Sequence, residues 1–254
     1  IVLLSRNKPS TEIQERLNKW AGSGVDVQAV QANLADLAEL KTVLAPWLVS
    51  NDEHALKGVF HLAGQIKDAT LPQQTWTAFE HVMTAKVQGS WHLHELTKAL
   101  PLDHFVMFSS AASLFGSAGQ VNYAAANEFL DAIAHYRHRQ NLPALSINWG
   151  AWSGNGLAAN PAVQQRLSKA NIPFIEPQQG MAILDQILNS KTEHPQIAVL
   201  PGALKQWKKL GASDALLSEI ESTARKRTAT RGIKEKIVEA EEGERAAIIA
   251  SYLR

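Results

Sequence analysis

The amino-acid sequence predicts an α/β fold built on a doubly wound parallel sheet. Short apolar runs of strand length alternate with amphipathic helical stretches along the chain, the pattern of repeated strand–helix–strand units. Residues 105–108, Phe-Val-Met-Phe, are continuously apolar, as a parallel strand covered on both faces is, and Ser109 and Ser110 stand where that strand ends. Tyr123 and Asn127 follow four residues apart, so on a helix they share one face. A Ser and a Tyr hydroxyl therefore converge at the carboxyl end of a central strand, where open α/β sheets bind their ligands.

The elements follow in order. Residues 1–4 read as a buried strand. Residues 10–20 read as a helix with Ser10 as N-cap and Glu12 in the first turn. Residues 25–30 alternate like a strand, and residues 37–48 are a helix candidate whose end Pro46 should distort. Residues 59–62 form a short apolar strand ahead of Ala63-Gly64. Residues 76–100 read as one long helix with Phe79, Val82, Met83, Val87, Leu93 and Leu96 as its apolar stripe. After the strand at 105–108 and a small-residue loop come a helix over 122–139 and a buried strand over 144–149, closed by Gly150. Residues 154–171 mix Gly, Ala, Asn and Pro around a short helical patch, and two readings stand, a mobile lid over the crevice or a surface connection. A helix over 178–188 and a last strand over 196–200 complete the alternation. Residues 211–232 turn polar, with Arg225-Lys226-Arg227, and read as a linker. Residues 233–253 are amphipathic, with Ile237, Ile248, Ile249 and Leu253 as core positions.

Composition narrows the function. The 254 residues carry a formal net charge of +1, which gives no electrostatic case for nucleic acid or a membrane surface. No apolar run reaches the roughly 18 residues that span a bilayer. Cys is absent, so neither disulfides nor thiolate chemistry are expected, in keeping with a cytoplasmic protein. The opening Ile-Val-Leu-Leu-Ser-Arg reads as the middle of a domain, not as a signal peptide. No metal site is expected. His92 and His94 diverge on a helix, and His135 and His138 share a face without an acidic third ligand.

The spacing of the polar residues carries a resemblance. Ser110 precedes Tyr123 by thirteen residues (123 − 110), and Tyr123 opens Tyr-Ala-Ala-Ala-Asn. From residue 1 to about residue 210 the chain resembles the short-chain dehydrogenase/reductase superfamily, whose fold is Rossmann-like. Most members have Lys four residues after the Tyr, where this chain has Asn127. The ketoreductase domains of modular polyketide synthases and animal-type fatty acid synthases exchange the two residues, and Lys86 matches their Lys on the preceding long helix. The resemblance implies that Tyr123 is the proton donor. It implies that Lys86 lowers the Tyr pKa from about 10 and grips the cofactor ribose, with Ser110 bonding the carbonyl oxygen where charge develops. Asn127 would orient Lys86 and a water chain.

The implied cofactor is NADPH. Ser5-Arg6 would follow a strand, with Arg6 on the ribose 2′-phosphate. Asn33-Leu34 would lie beside the adenine, where the family usually has Asp. His61-Leu-Ala63-Gly64 matches the family's His-x-Ala-Gly segment; Lys86, Ser109 and Tyr123 complete the contacts, and Trp149-Gly150 would line the nicotinamide. The family's first strand and its Gly-rich pyrophosphate turn would lie upstream of Ile1.

The implied organisation is a ketoreductase catalytic domain over 1–210, a linker over 211–232, and the start of an acyl carrier domain over 233–254. The implied activity is NADPH-dependent reduction of a β-ketoacyl thioester, tethered to a carrier domain through phosphopantetheine, within a synthase whose other domains are partners. Two rivals stand beside it, a free-standing reductase of a small ketone and a redox-silent structural domain. Ketoreductases of one stereochemical type carry Leu-Asp-Asp after His-x-Ala-Gly; the other type carries Trp eight residues before the Tyr. Here Ile66-Lys67-Asp68 keeps the last Asp, and Phe115 stands at 123 − 8. Asp68 and Phe115 therefore point to the Asp-bearing type and a D-configured (3R) alcohol.

Overall fold

A computed structural model of the chain describes residues 1–49, 55–154, 161–190, 192–210 and 217–218. The expected carrier-like segment at 233–254 lies outside these residues, as does the expected linker apart from Leu217 and Ser218.

Among the described residues six short runs form strands, all paired in parallel: β1 Val2–Ser5, β2 Gln28–Gln31, β3 Gly58–His61, β4 His104–Ser110, β5 Leu145–Trp149 and β6 Gln196–Val199. They lie in two sheets, β1-β2 and β3-β4-β5-β6. The sequence predicts one continuous sheet. Among the described residues no strand pairing joins β1 to β3, and Leu3, Phe60 and Leu62 are exposed. β4 shows why its run is continuously apolar. Phe105 and Met107 face a core with Leu93, Leu130 and Ile133, while Val106 packs on the opposite side with Ile147, Ile175 and Leu184.

The helices cover both faces. α1 (Thr11–Gly22) begins as expected, with Ser10 Oγ accepting from the Ile13 amide at 3.4 Å. α2 (Leu37–Leu44) is capped by Asp36 and stops before Pro46. The long helix expected over 76–100 is interrupted. α3 (Trp76–Met83) passes through a π-helical turn, Thr84–Gln88, into α4 (Gly89–Thr97). The extra residue of such a turn shifts the phase of the helix, a device frequent at functional sites, and Lys86 lies within it, buried. The loop expected after β4 contains a short helix, α5 (Ala111–Phe115), before α6 (Val121–His138). α7 (Pro161–Ala170), α8 (Pro177–Asn189) and the unexpected α9 (Leu204–Lys208) follow. α7 and α9 share an apolar cluster of Leu167, Ala170, Ile172 and Trp207, to which Leu217 adds a buried side chain. Of the two readings of 154–171, α7 lies at the crevice described next, to whose wall it contributes Val163, Arg166 and Leu167.

Candidate active site

The carboxyl ends of β3, β4 and β5 open onto a crevice of about 1190 Å³, larger than the few hundred to 1,000 Å³ of a typical single-ligand site. Lys86, Ser109, Ser110, Tyr123, Trp149 and Gly150 line it together. Each is placed by a local rule. Ser109 and Ser110 end β4, and Ser110 Oγ accepts from the Ala112 amide at 3.2 Å as the N-cap of α5. That bond uses a lone pair and leaves the Ser110 hydroxyl proton free to donate toward the crevice. Tyr123 and Asn127 sit one turn apart on α6. The π turn brings Lys86 to the same place; its Nζ donates to the Phe108 carbonyl at 2.9 Å and lies 5.9 Å from the Tyr123 ring centroid.

The electrostatics differ from expectation in one respect. Tyr123 is pushed above its ordinary value, because burial outweighs everything else; hydrogen bonds with Ser110 and Asn127 oppose the rise and the Asp68 charge adds to it. The expected lowering by Lys86 is not among the causes; its ammonium is bound to the Phe108 carbonyl, 5.9 Å from the Tyr123 ring centroid. Tyr123 is therefore a neutral donor at physiological pH. Lys86 is itself lowered to about 8, chiefly by burial, with the Asp131 carboxylate opposing. His61, the last residue of β3, is buried and lowered to about 3 by burial and by the Lys86 charge, so it stays neutral.

Asn127 is buried one turn beyond Tyr123. The partner on Lys86 Nζ is the Phe108 carbonyl. The Asn127 amide donates to the Tyr123 backbone carbonyl at 2.8 Å, and its Oδ1 is buried without a partner. Trp149 Nε1 and His61 Nε2 are likewise buried and unpartnered. Orphaned polar atoms of this kind beside a crevice are places for a ligand or ordered water.

Of the remaining predicted residues, Phe115 lines the crevice, and Ser5, Arg6, Asn33, Leu34, His61, Ala63, Gly64 and Asp68 are not part of its wall. Ser5 and Arg6 are exposed at the end of β1, in the other sheet. The Gln65 side chain lies between Arg6 and His81; with its amide oxygen turned to the guanidinium it accepts from Arg6 and donates to His81 Nε2. Asn33 closes a turn, its Oδ1 accepting from the Ala35 amide at 3.1 Å, and the Leu34 carbonyl accepts from His92 Nδ1 at 2.8 Å. Ala63 and Gly64 are half-buried just after β3. Asp68 accepts from the buried Gln120 amide, both oxygens at 3.1 Å, and Ala69 donates its amide to the Gly119 carbonyl at 2.9 Å, so this loop is fastened to the segment before Tyr123. Phe115 is half-buried at the end of α5, its ring 5.4 Å from that of Trp207. Among the described residues no three His, Cys, Asp or Glu side chains cluster as metal ligands, and no helix is long and apolar enough to cross a membrane.

Sequence reasoning missed several contributors. Gln120 also accepts from Arg166 of α7 at 3.1 Å, and Arg166 donates to the Ala118 carbonyl at 2.8 Å. Asp131 and Asn148 form a buried polar layer behind Ser109. Their signal was periodic. Asp131 is eight residues after Tyr123, on the same helix face, and Ser146 and Asn148 alternate with apolar residues along β5.

Comparison with known proteins gives consistent matches. A family model described as the KR domain matches residues 1–154. The chain is 44% identical over 191 residues to the polyketide synthase GfsE of Streptomyces halstedii, covering 74% of this chain and 5% of that protein. It is 46% identical over 153 residues to a mycoketide-CoA synthase of Mycobacterium tuberculosis, covering 60% of this chain and 4% of that protein. Among solved structures, one of A-type ketoreductases from a modular polyketide synthase aligns with a TM-score of 0.75 and 35% identity, over 84% of this chain and 44% of that one. The chain thus spans about a twentieth of the length of these two synthases.

Proposed function

Because the chain belongs to the ketoreductase (KR) domain family of polyketide synthases, we propose that it reduces a β-ketoacyl thioester to the β-hydroxyacyl thioester with NADPH. The observation that carries this reading is the convergence of Lys86, Ser110 and Tyr123 on one crevice at the strand ends. NADPH, when bound, supplies the hydride that reaches the carbonyl carbon. The ketone oxygen then gathers negative charge between two hydroxyl donors. Ser110 donates to it while its own lone pair is held by the Ala112 amide. Tyr123, neutral because it is buried, gives its proton to the nascent alkoxide. The phenolate left behind is held by hydrogen bonds with Ser110 and Asn127, beside the Lys86 ammonium. The orphaned Asn127 Oδ1 and Trp149 Nε1 fit the polar groups of a cofactor or its waters.

NADPH rather than NADH follows from Arg6, an exposed guanidinium after β1 at the position that meets a 2′-phosphate in relatives of this family. The carrier domain with its phosphopantetheine arm is the partner that would present the substrate, other synthase domains flank it, and the setting is cytoplasmic. The organisation proposed is a catalytic domain over 1–210, a linker over 211–232 and the start of a carrier domain over 233–254. The product proposed is the D-configured alcohol, because Asp68 anchors its loop beside Tyr123 through Gln120 and position 115 is Phe, not Trp. A redox-silent domain has less support, since all four polar residues are present, and a free-standing reductase has less because the relatives named above are long synthases.

The test is Tyr123→Phe in the intact synthase module. It removes one oxygen atom, and turnover of a β-ketoacyl-pantetheine substrate should fall at least about 100-fold with an unchanged unfolding midpoint. Retention of more than about a tenth of the rate would exclude Tyr123 as the acid.

A further inference from the structure

Asp131 has no part in the reaction as described above. Among the described residues it is the only carboxylate in the buried interior, 2% exposed, which is costly for an anion unless something compensates it. Three neutral donors hold it. Ser146 Oγ donates to one oxygen at 2.5 Å; Ser113 Oγ at 2.7 Å and Asn148 Nδ2 at 2.8 Å donate to the other. Asn148 Nδ2 is also 3.1 Å from Ser109 Oγ, and Ser109 Oγ donates to the Asn127 carbonyl at 3.2 Å. Ser113 Oγ also lies 2.8 Å from the Ser110 carbonyl. The carboxylate therefore grips, through one layer of hydrogen bonds, the two serines that end β4. Lys86 binds the same strand end at the Phe108 carbonyl.

We propose that Asp131 is a positioning residue for this reaction: a buried anion that, through Ser113 and Asn148, fixes the Ser109–Ser110 strand end to which the Lys86 ammonium is also bound, without touching substrate or cofactor. The inference rests on Lys86 acting as proposed above. The groups facing Lys86 are few. From β3 comes His61, which is neutral; from α6 come the Tyr123 ring and Asp131; from β4 comes only a carbonyl. Among the described residues Asp131 is the negative charge that acts on Lys86, against the burial that lowers the ammonium to about 8. Around Asp131 itself, Glu128 on the same helix is the other acidic group and is raised, burial being the larger cause and Asp131 the second.

The experiment follows Lys86 directly in the full chain. Isotope-labelled lysine side chains are titrated by NMR, with Lys86 assigned by the signal lost in Lys86→Met. In the unaltered protein Lys86 should titrate near 8. In Asp131→Asn it should titrate at least about one pH unit lower, a tenfold loss of proton affinity. The double variant Asp131→Asn with Asn148→Asp moves the carboxylate across one hydrogen bond, and the titration should return toward its original position. In the intact module the basic limb of the kcat profile should move with the titration, while KM for the ketoacyl substrate changes little. A folded Asp131→Asn whose Lys86 titrates unchanged would overturn the proposal. So would a double variant that leaves the titration lowered, or one that fails to fold, because the carboxylate at 131 would then serve packing alone. If Lys86→Met retained full turnover, the proposed role of Lys86 would fall, while the titration would still decide what Asp131 does.

Discussion

Lys86→Met should make the protein more stable and inactive. Lys86 is 2% exposed, and burial lowers it from 10.5 to about 8. The sign follows from linkage. Between pH 8 and 10.5 the unfolded chain holds a proton that the folded chain has released, so stability rises with pH across that window. Below pH 8 both states carry the proton, and the folded state bears the full cost of a buried ammonium, about 3 kcal/mol at neutral pH. Methionine has a similar unbranched shape and no charge. It forfeits the bond from Nζ to the Phe108 carbonyl, which is worth about 1 kcal/mol. The variant should therefore gain about 2 kcal/mol at pH 7, and the gain should vanish by the ordinary lysine pKa near 10.4. Urea unfolding of both proteins by circular dichroism, at pH 7 and at intervals to pH 10, measures it. A variant less stable at pH 7, or a difference that does not change with pH, would refute the reasoning.

Acid should destabilise the fold through His61. Burial first, and the Lys86 charge second, hold it near 3, so its contribution is complete above pH 6.5 and is lost as pH falls toward 3, at about 1.4 kcal/mol per pH unit; His61→Gln should flatten that part of the urea-midpoint profile, and an unchanged slope would count against it. Gly180→Ala would drive a Cβ into the six-membered ring of Trp152, an overpacking that should cost about 1–3 kcal/mol in thermal unfolding; an unchanged midpoint would mean that the indole swings clear. Chiral chromatography of the product should show the D alcohol, and a predominantly L product would show that Asp68 and Phe115 do not set the side of approach.

What the sequence revealed and what it hid divide along physical lines. The strand at 105–108 and the pair Tyr123 and Asn127 were legible because period and spacing are properties of the chain alone. The π turn was not, since an apolar stripe with one residue inserted still looks helical, and only the buried position of Lys86 exposes the change of phase. The five-residue α5 was too short to leave a pattern. The upward shift of Tyr123 was hidden because burial, its largest cause, is set by the tertiary structure, whereas the resemblance implied only the charge of Lys86. The buried polar layer was hidden for another reason: taken singly, residues such as Asp131, Ser146 and Asn148 belong to surfaces. Taken as rows they say something different. Tyr123, Asn127 and Asp131 recur every fourth residue on one face of α6, and Ser146 and Asn148 recur every second residue on one face of β5. A polar row on a buried helix face requires a polar row beneath it, or each group would be left without a partner. The two periods together therefore specify both the packing of α6 on β5 and the layer of hydrogen bonds on which the strand end bearing Ser110 rests.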